Sequence, residues 1–191
     1  MQIPKFPYLT LCPRPVVSTV EEAADRSYAF IVVAIKCLPD VKPTSSILEP
    51  ILRTISSSPE TSIVLLQNGV GIEEDLHDAL TKLGASSPVL SGCAWVDATA
   101  VDGGKRVVQH GSERLVIGFH PRSELSVRSA EQALSNFCEL LIAGGVSAEP
   151  VPDINVARWQ KVLWYGTISE HKLYHMANID SGMHRSPPFV P

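Results

Sequence analysis

Apolar positions along this chain fall into two alternating rhythms. Residues 28–35 (Tyr-Ala-Phe-Ile-Val-Val-Ala-Ile) and 62–67 (Ser-Ile-Val-Leu-Leu-Gln) are short, nearly unbroken apolar runs, the first rich in β-branched residues. A strand with one face in water alternates apolar with polar residues. A continuous run predicts a strand buried on both faces, as in a parallel sheet. Between and after these runs the period lengthens. Ile47, Leu48, Ile51, Leu52 and Ile55 recur at helical spacing over residues 44–57, with Thr44 or Ser45 as the cap. Pro50 lies inside this stretch and predicts a kink or a later start. Ile72, Leu76, Leu80 and Leu83 mark a further helix that ends at Gly84. A short helix is expected upstream, over Glu21 to Arg26. Alternating strands and helices of this kind predict an α/β domain with a parallel sheet.

The rhythm changes after Pro88. Residues 89–101, 106–110 and 115–119 read as three strands, with Asp102-Gly103-Gly104 as a hairpin turn between the first two. Ala130, Ala133, Leu134, Phe137, Cys138, Leu141 and Ile142 form a helical stripe that ends at Gly144-Gly145. Residues 148–151 suit a short edge strand. Asp153 can cap a last helix that runs through Trp159 towards Ile168. Pro4, Pro7, Pro13 and Pro15 make residues 1–15 an irregular lead-in, and the Ser/Pro-rich stretch from Ser181 is expected to fray.

Composition narrows the function classes. The 191 residues are 45% hydrophobic with a net charge of −4, which suits one globular domain, or one domain and part of another. There is no Lys/Arg block, so no nucleic-acid partner is expected. No apolar run approaches the roughly 18 residues of a membrane span, and residues 1–7 lack the apolar core of a secretory signal. Cys12, Cys37, Cys93 and Cys138 are scattered without a CxxC pair, which predicts reduced thiols and a cytoplasmic setting. His171 and His175 stand four apart, but no third ligand accompanies them, so no metal site is expected.

Three places carry candidate chemistry. Gln67-Asn68-Gly69-Val70-Gly71 follows a buried strand and opens a helix, and ligands of open α/β sheets bind beyond the carboxyl ends of strands. Asn68 offers an amide there, and Gly69 allows close backbone approach. Asn-Gly is also an ordinary turn, and Glu73 and Glu74 are then first-turn acids favoured by the helix dipole. Lys36 ends the preceding strand and is placed to meet a phosphate or ribose, or simply to reach into water. Lys161 shares a helix face with Ala157, Arg158, Trp164 and Tyr165. An ammonium among apolar and aromatic groups can have a lowered pKa and give a proton to a carbonyl oxygen, or it can snorkel to the surface. The first glycine of the sequence is Gly69, so no GxGxxG loop precedes it, and Glu74 stands where the third glycine of that motif would be.

Together these segments resemble a known family. Lys36-Cys37-Leu38-Pro39, then Gln67-Asn68-Gly69-Val70-Gly71 with Glu74, then Gly103, His110, Gly118, Asp153-Ile154 and Arg158-Trp159-Gln160-Lys161 follow the order of ketopantoate reductase, 2-dehydropantoate 2-reductase, with wording similar to fungal members. The resemblance runs from about Val16 to Gly166. It implies a Rossmann-like domain followed by a helical one, and NADPH-dependent reduction of a 2-keto acid, 2-dehydropantoate, to pantoate on the route to coenzyme A. It makes Lys161 the catalytic acid and Lys36, Asn68 and Gly69 cofactor contacts. On this basis residues 16–152 are an incomplete NADP-binding domain, and residues 153–191 the first helix of a truncated helical domain with a frayed tail. The family's first βαβ unit with its glycine loop is not matched. The asparagines that follow the family's lysine at four and eight positions are replaced by Tyr165 and Ser169. The chain as given is therefore expected to be inactive and to self-associate through an exposed sheet edge. A non-catalytic remnant or interaction protein of the same fold is the alternative, and a related dehydrogenase with another acid substrate a third.

Overall fold

The computed structural model describes residues 16–55, 61–120 and 124–166. Five strands form one sheet in the order β1 (Phe30–Val33), β2 (Ser62–Leu65), β3 (Val89–Val101), β4 (Arg106–Phe119) and β5 (Ala148–Pro150). The pairs β1–β2, β2–β3 and β4–β5 are parallel, and β3–β4 is an antiparallel hairpin. The helices are α1 (Val20–Ala23), α2 (Thr44–Ile55), α3 (Glu74–Lys82), α4 (Glu124–Ala143) and α5, over residues 154–166. This is the expected α/β fold with a mostly parallel sheet and a hairpin. The expectations for residues 1–15 and for the tail from Ser181 fall outside the described residues, as do His171, His175 and Ser169.

Helices cover both faces of the sheet. Side chains alternate along a strand, so one face carries Val33, Ile63, Leu65 and Val89, packed against Leu48 and Leu52 of α2 and Leu76 and Leu80 of α3. The opposite face carries Val64, Leu90, Leu115 and Ile117, packed against Leu134 and Phe137 of α4. Helix α5 docks further along the hairpin, where Ile154 and Ala157 meet Cys93 and Val116. Its approach depends on Gly118. A Cβ there would lie 2.9 Å from both the Ile154 Cβ and the Val151 carbonyl oxygen.

Four details differ from the sequence reading. The strand at residues 28–35 is not buried on both faces. It is the four-residue edge strand β1, with Val32 49% exposed, because β2 is its one neighbour among the described residues. Helix α2 does not start late. It begins at Thr44 with Pro50 inside it. Its cap is not local either: the Ser45 amide donates to Asp75 Oδ2 of α3 at 3.0 Å, and Thr44 Oγ1 turns to Gln67 Oε1 at 3.2 Å. Finally, residues 106–110 and 115–119 are one strand, continuous through Gly111, because β3 continues beside it with one register shift between Trp95 and Asp97. Asp153 accepts from the Asn155 amide at 2.9 Å at the start of α5, as an N-terminal cap does. No described helix is long and apolar enough to cross a membrane.

Candidate functional site

Parallel pairing of β1 and β2 brings Lys36 and Asn68 to the same edge of the sheet. Val33 lies opposite Leu65, and each polar residue stands three positions further on, at the carboxyl end of the sheet. Both are exposed. The Gly69 that follows Asn68 has φ of +127°, and a Cβ there would come within 2.6 Å of the Ile72 side chain. The turn therefore requires glycine whatever else it does.

Helix α5 crosses over this end. A cavity of about 20 Å³ lies between the Gln67–Gly69 turn, Cys93 of β3, and Arg158, Lys161 and Tyr165 of α5. It has room for about one water-sized group. Asn68, Gly69 and Lys161 meet here, while Lys36 is not among the lining residues. Two larger clefts, of about 530 and 400 Å³, lie beside Tyr28 and Ser62 and beside Ser87 and Val89. Both are at the amino ends of strands, away from Lys161.

Lys161 is buried, at 7% exposure, and its Nζ donates to the Ala94 carbonyl at 2.6 Å. An ammonium has three protons, so two remain for other acceptors. Burial lowers its pKa from the ordinary lysine value, and the charge of Arg158 lowers it further. Cys93 would raise it only as a thiolate. Its own thiol is pushed up by burial and is therefore neutral near pH 7.

Arg158 is more deeply buried still, at 2% exposure. Its Nη1 donates to the Gly69 carbonyl at 2.5 Å and lies 3.4 Å from the Gln67 carbonyl, and Nη2 donates to Ser91 Oγ at 2.6 Å. Ser91 Oγ is 2.9 Å from His120 Nε2, and His120 Nδ1 is 3.3 Å from Glu73 Oε1. Burial, with the charge of Arg158, depresses the His120 pKa to about 4, so the ring is neutral near pH 7. One assignment gives every contact a donor and an acceptor. Arg158 donates to Ser91, the Ser91 hydroxyl donates to Nε2, and the Nδ1 proton faces Glu73. Polarity along this chain runs one way, from guanidinium to carboxylate, which strengthens each bond.

The sequence reading brought Lys161 and Asn68 forward and missed this buried chain. Arg158 stood in the Arg-Trp-x-Lys wording without a role, and Glu73 was read as a first-turn acid. Two signals were available. Arg158 lies one helical turn before Lys161 on the same face, and Ser91 interrupts an apolar strand run. Among the described residues no group of three His, Cys, Asp or Glu side chains is placed to hold a metal ion.

The family model of ketopantoate reductase PanE/ApbA matches residues 9–122. Lys36, Asn68 and Gly69 lie inside that span, and Arg158 and Lys161 beyond it. Uncharacterized protein YDL144C of Saccharomyces cerevisiae is 28% identical over 170 residues, which are 82% of this chain and 46% of that protein. The chain thus spans less than half the length of this relative. Among solved structures, a complex of D-mandelate dehydrogenase with NADH is similar at a TM-score of 0.45 and 20% identity, over 71% of this chain and 39% of the other.

Proposed function

Since the chain belongs to the ketopantoate reductase PanE/ApbA family, we propose that it carries the carbonyl-reducing end of a 2-keto acid reductase site, with 2-dehydropantoate as substrate and NADPH as cofactor. The observation that carries this reading is the buried Lys161 ammonium at a cavity shared with Asn68. The cavity admits a carbonyl oxygen rather than a whole substrate, which suits a site that grips the reacting atom.

NADPH, when bound, supplies the hydride. Of the described residues, Asn68 offers an amide to its nicotinamide end, and Lys36 at the same sheet edge a cation to a phosphate or ribose. No glycine-rich strand-to-helix loop among them fits its pyrophosphate. What Lys161 does follows from its surroundings. Reduction of a ketone leaves charge developing on the oxygen, and an ammonium held in a desolvated wall stabilises that charge strongly. Its lowered pKa eases transfer of the Nζ proton to the alkoxide. The Ala94 carbonyl holds Nζ in place by one proton, which leaves two for a substrate oxygen. Tyr165 occupies the position four after Lys161, where the family resemblance places a substrate-binding asparagine, and it lines the cavity with a ring.

The test follows the nicotinamide absorbance with NADPH and 2-dehydropantoate for the protein and for Lys161→Ala. Turnover that falls by roughly 10²–10⁴-fold in Lys161→Ala supports the reading. Turnover indifferent to the substitution removes Lys161 from the reaction. No turnover with any 2-keto acid tried, as the unmatched glycine loop and the replacements at Tyr165 and Ser169 lead one to expect, favours a non-catalytic protein of the same fold.

A further inference from the structure

We propose that Arg158 is a positioning residue of this site. Its guanidinium clamps the Gln67–Gly69 turn, which carries Asn68, to strand β3 and to the helix that carries Lys161. The inference rests on the reading of Lys161 and Asn68 just given, and it adds a residue that acts through them.

The first argument is energetic. A buried cation is costly unless it is paired, and removing its partners from water costs more. Arg158 is 2% exposed, and the partners of its fork are two carbonyl oxygens and one hydroxyl. Among the described residues, the only carboxylate tied to it is Glu73, reached through Ser91 and His120. Its Nε is buried without an acceptor among the described residues. An apolar side chain would fill this volume at lower cost, so stability alone does not account for a guanidinium here.

The second argument is geometric. The acceptors belong to two separate segments: Gln67 and Gly69 follow β2 and line the cavity, and Ser91 lies in β3, two residues before the cavity-lining Cys93. A rigid planar fork fixes their separation in a way that a single lysine ammonium does not. Asn68 lies between the two carbonyls that Nη1 meets, so its backbone is held from both sides. Lys161 is one turn further along α5, and its own bond to Ala94 fixes the same helix to β3 three residues beyond Ser91. The turn, the strand and the helix are thereby locked around the cavity. Misplacement of about 1 Å at such a site costs on the order of 100-fold in rate.

The third argument is the back of the clamp. Ser91 Oγ would be free to rotate if Arg158 were its only partner. With His120 Nε2 as acceptor, the assignment given above, the 2.9 Å contact takes the hydroxyl proton away from Arg158, so that a lone pair faces Nη2.

The experiment compares Arg158→Ala, Arg158→Lys and Ser91→Ala with the parent protein, with thermal melting as the check of folding. In steady-state reduction of 2-dehydropantoate, kcat is expected to fall by about 10²-fold in Arg158→Ala, with a much smaller change in KM. Ethylguanidine added at millimolar concentration should restore part of it, and ethylamine should not. Recovery by the fork-shaped cation alone is a result that a merely structural arginine does not give. Arg158→Lys is expected to stay folded and remain slow. Where Arg158→Ala does not fold, Ser91→Ala removes one acceptor and leaves α5 intact, and the same loss of kcat is expected. A parent protein without turnover would count against the proposed reaction. The clamp is then read from the Asn68 side-chain amide resonances. They should broaden or split in Arg158→Ala and sharpen with ethylguanidine. Unchanged kcat in the folded variants, or Asn68 resonances that do not respond to Arg158→Ala, would overturn the proposal.

Discussion

The Nζ of Lys161 lies 5.9 Å from the centre of the Tyr165 ring, one helical turn ahead of it. Tyr165 in turn packs edge-on against Trp164, and Trp164 against Trp95 of β3. The ammonium is thus subject to opposing influences. Burial and Arg158 favour the neutral amine, and the ring face favours the cation. Lys161 is expected to titrate below an ordinary lysine, and Tyr165→Leu to lower it further. Following the Lys161 ε-carbon by NMR from pH 6 to 11 checks both. An ordinary lysine titration in the parent protein would contradict the desolvated site.

A second expectation concerns acid stability. His120 has a folded pKa of about 4 against the ordinary histidine value of 6.5. Between those values the unfolded chain binds a proton that the folded chain refuses. Stability is therefore complete above about pH 6.5 and declines as pH falls towards 4, by on the order of 3 kcal/mol. Burial and Arg158 cause the shift, with Asp153 opposing, and the Glu73 carboxylate also faces the ring. Urea unfolding at pH 7 and at pH 4.5 should show the loss. His120→Gln, which cannot titrate, should remove most of that difference. Equal slopes with pH in the two proteins would rule out His120 as the source.

Gly118 offers a test of how α5 is seated. Ala there places a methyl 2.9 Å from the Val151 carbonyl oxygen and the Ile154 Cβ, both too close for contact. Ile154 is 1% exposed and cannot move aside without opening the core. Gly118→Ala is expected to destabilise by about 1–3 kcal/mol and to displace α5 from β4. Loss of protection of the α5 amides in hydrogen exchange, with α2 unaffected, is the corresponding signature.

The edge of the sheet makes a fourth prediction. Val32 of β1 is 49% exposed, and among the described residues β1 pairs with β2 alone. An open strand edge with apolar side chains invites pairing with another chain. Concentration-dependent association is expected in light scattering, and Val32→Lys should reduce it. A monomer at all concentrations in the parent protein would remove this expectation.

How much of this was legible in the sequence depended on whether the cause was local. The strand at 62–67 was readable because all four residues of β2 are buried. Helix α3 was readable because Leu76 and Leu80 repeat at its period and are fully buried. The long β4 read as two strands because Gly111 and Ser112 break its apolar run, and only the partner strand keeps it whole. The cap of α2 was misread because the acceptor, Asp75, lies 30 residues away. An apolar run says nothing of how many neighbours a strand has, so the exposure of β1 was hidden as well. In the site, Lys161 was visible through its motif. Arg158, Ser91 and His120 were not, because a polar residue declares a buried bond only when its distant partner is known.

That distance has a consequence in time. The contacts from Arg158 to Gln67 and Gly69 span 91 and 89 residues, and those to Ser91 and from Lys161 to Ala94 span 67. At a synthesis rate of about 5–20 residues per second, the Asn68 turn leaves the ribosome roughly 5 to 20 s before the helix that clamps it. During that interval the sheet can pair through its nearer contacts, while the turn stays unrestrained and the Gly69 carbonyl bonds to water. The cavity around Lys161 is thus the last part of the described molecule to close. An early stop before residue 158 would leave a chain able to form much of the sheet, with nothing holding its carboxyl edge in order.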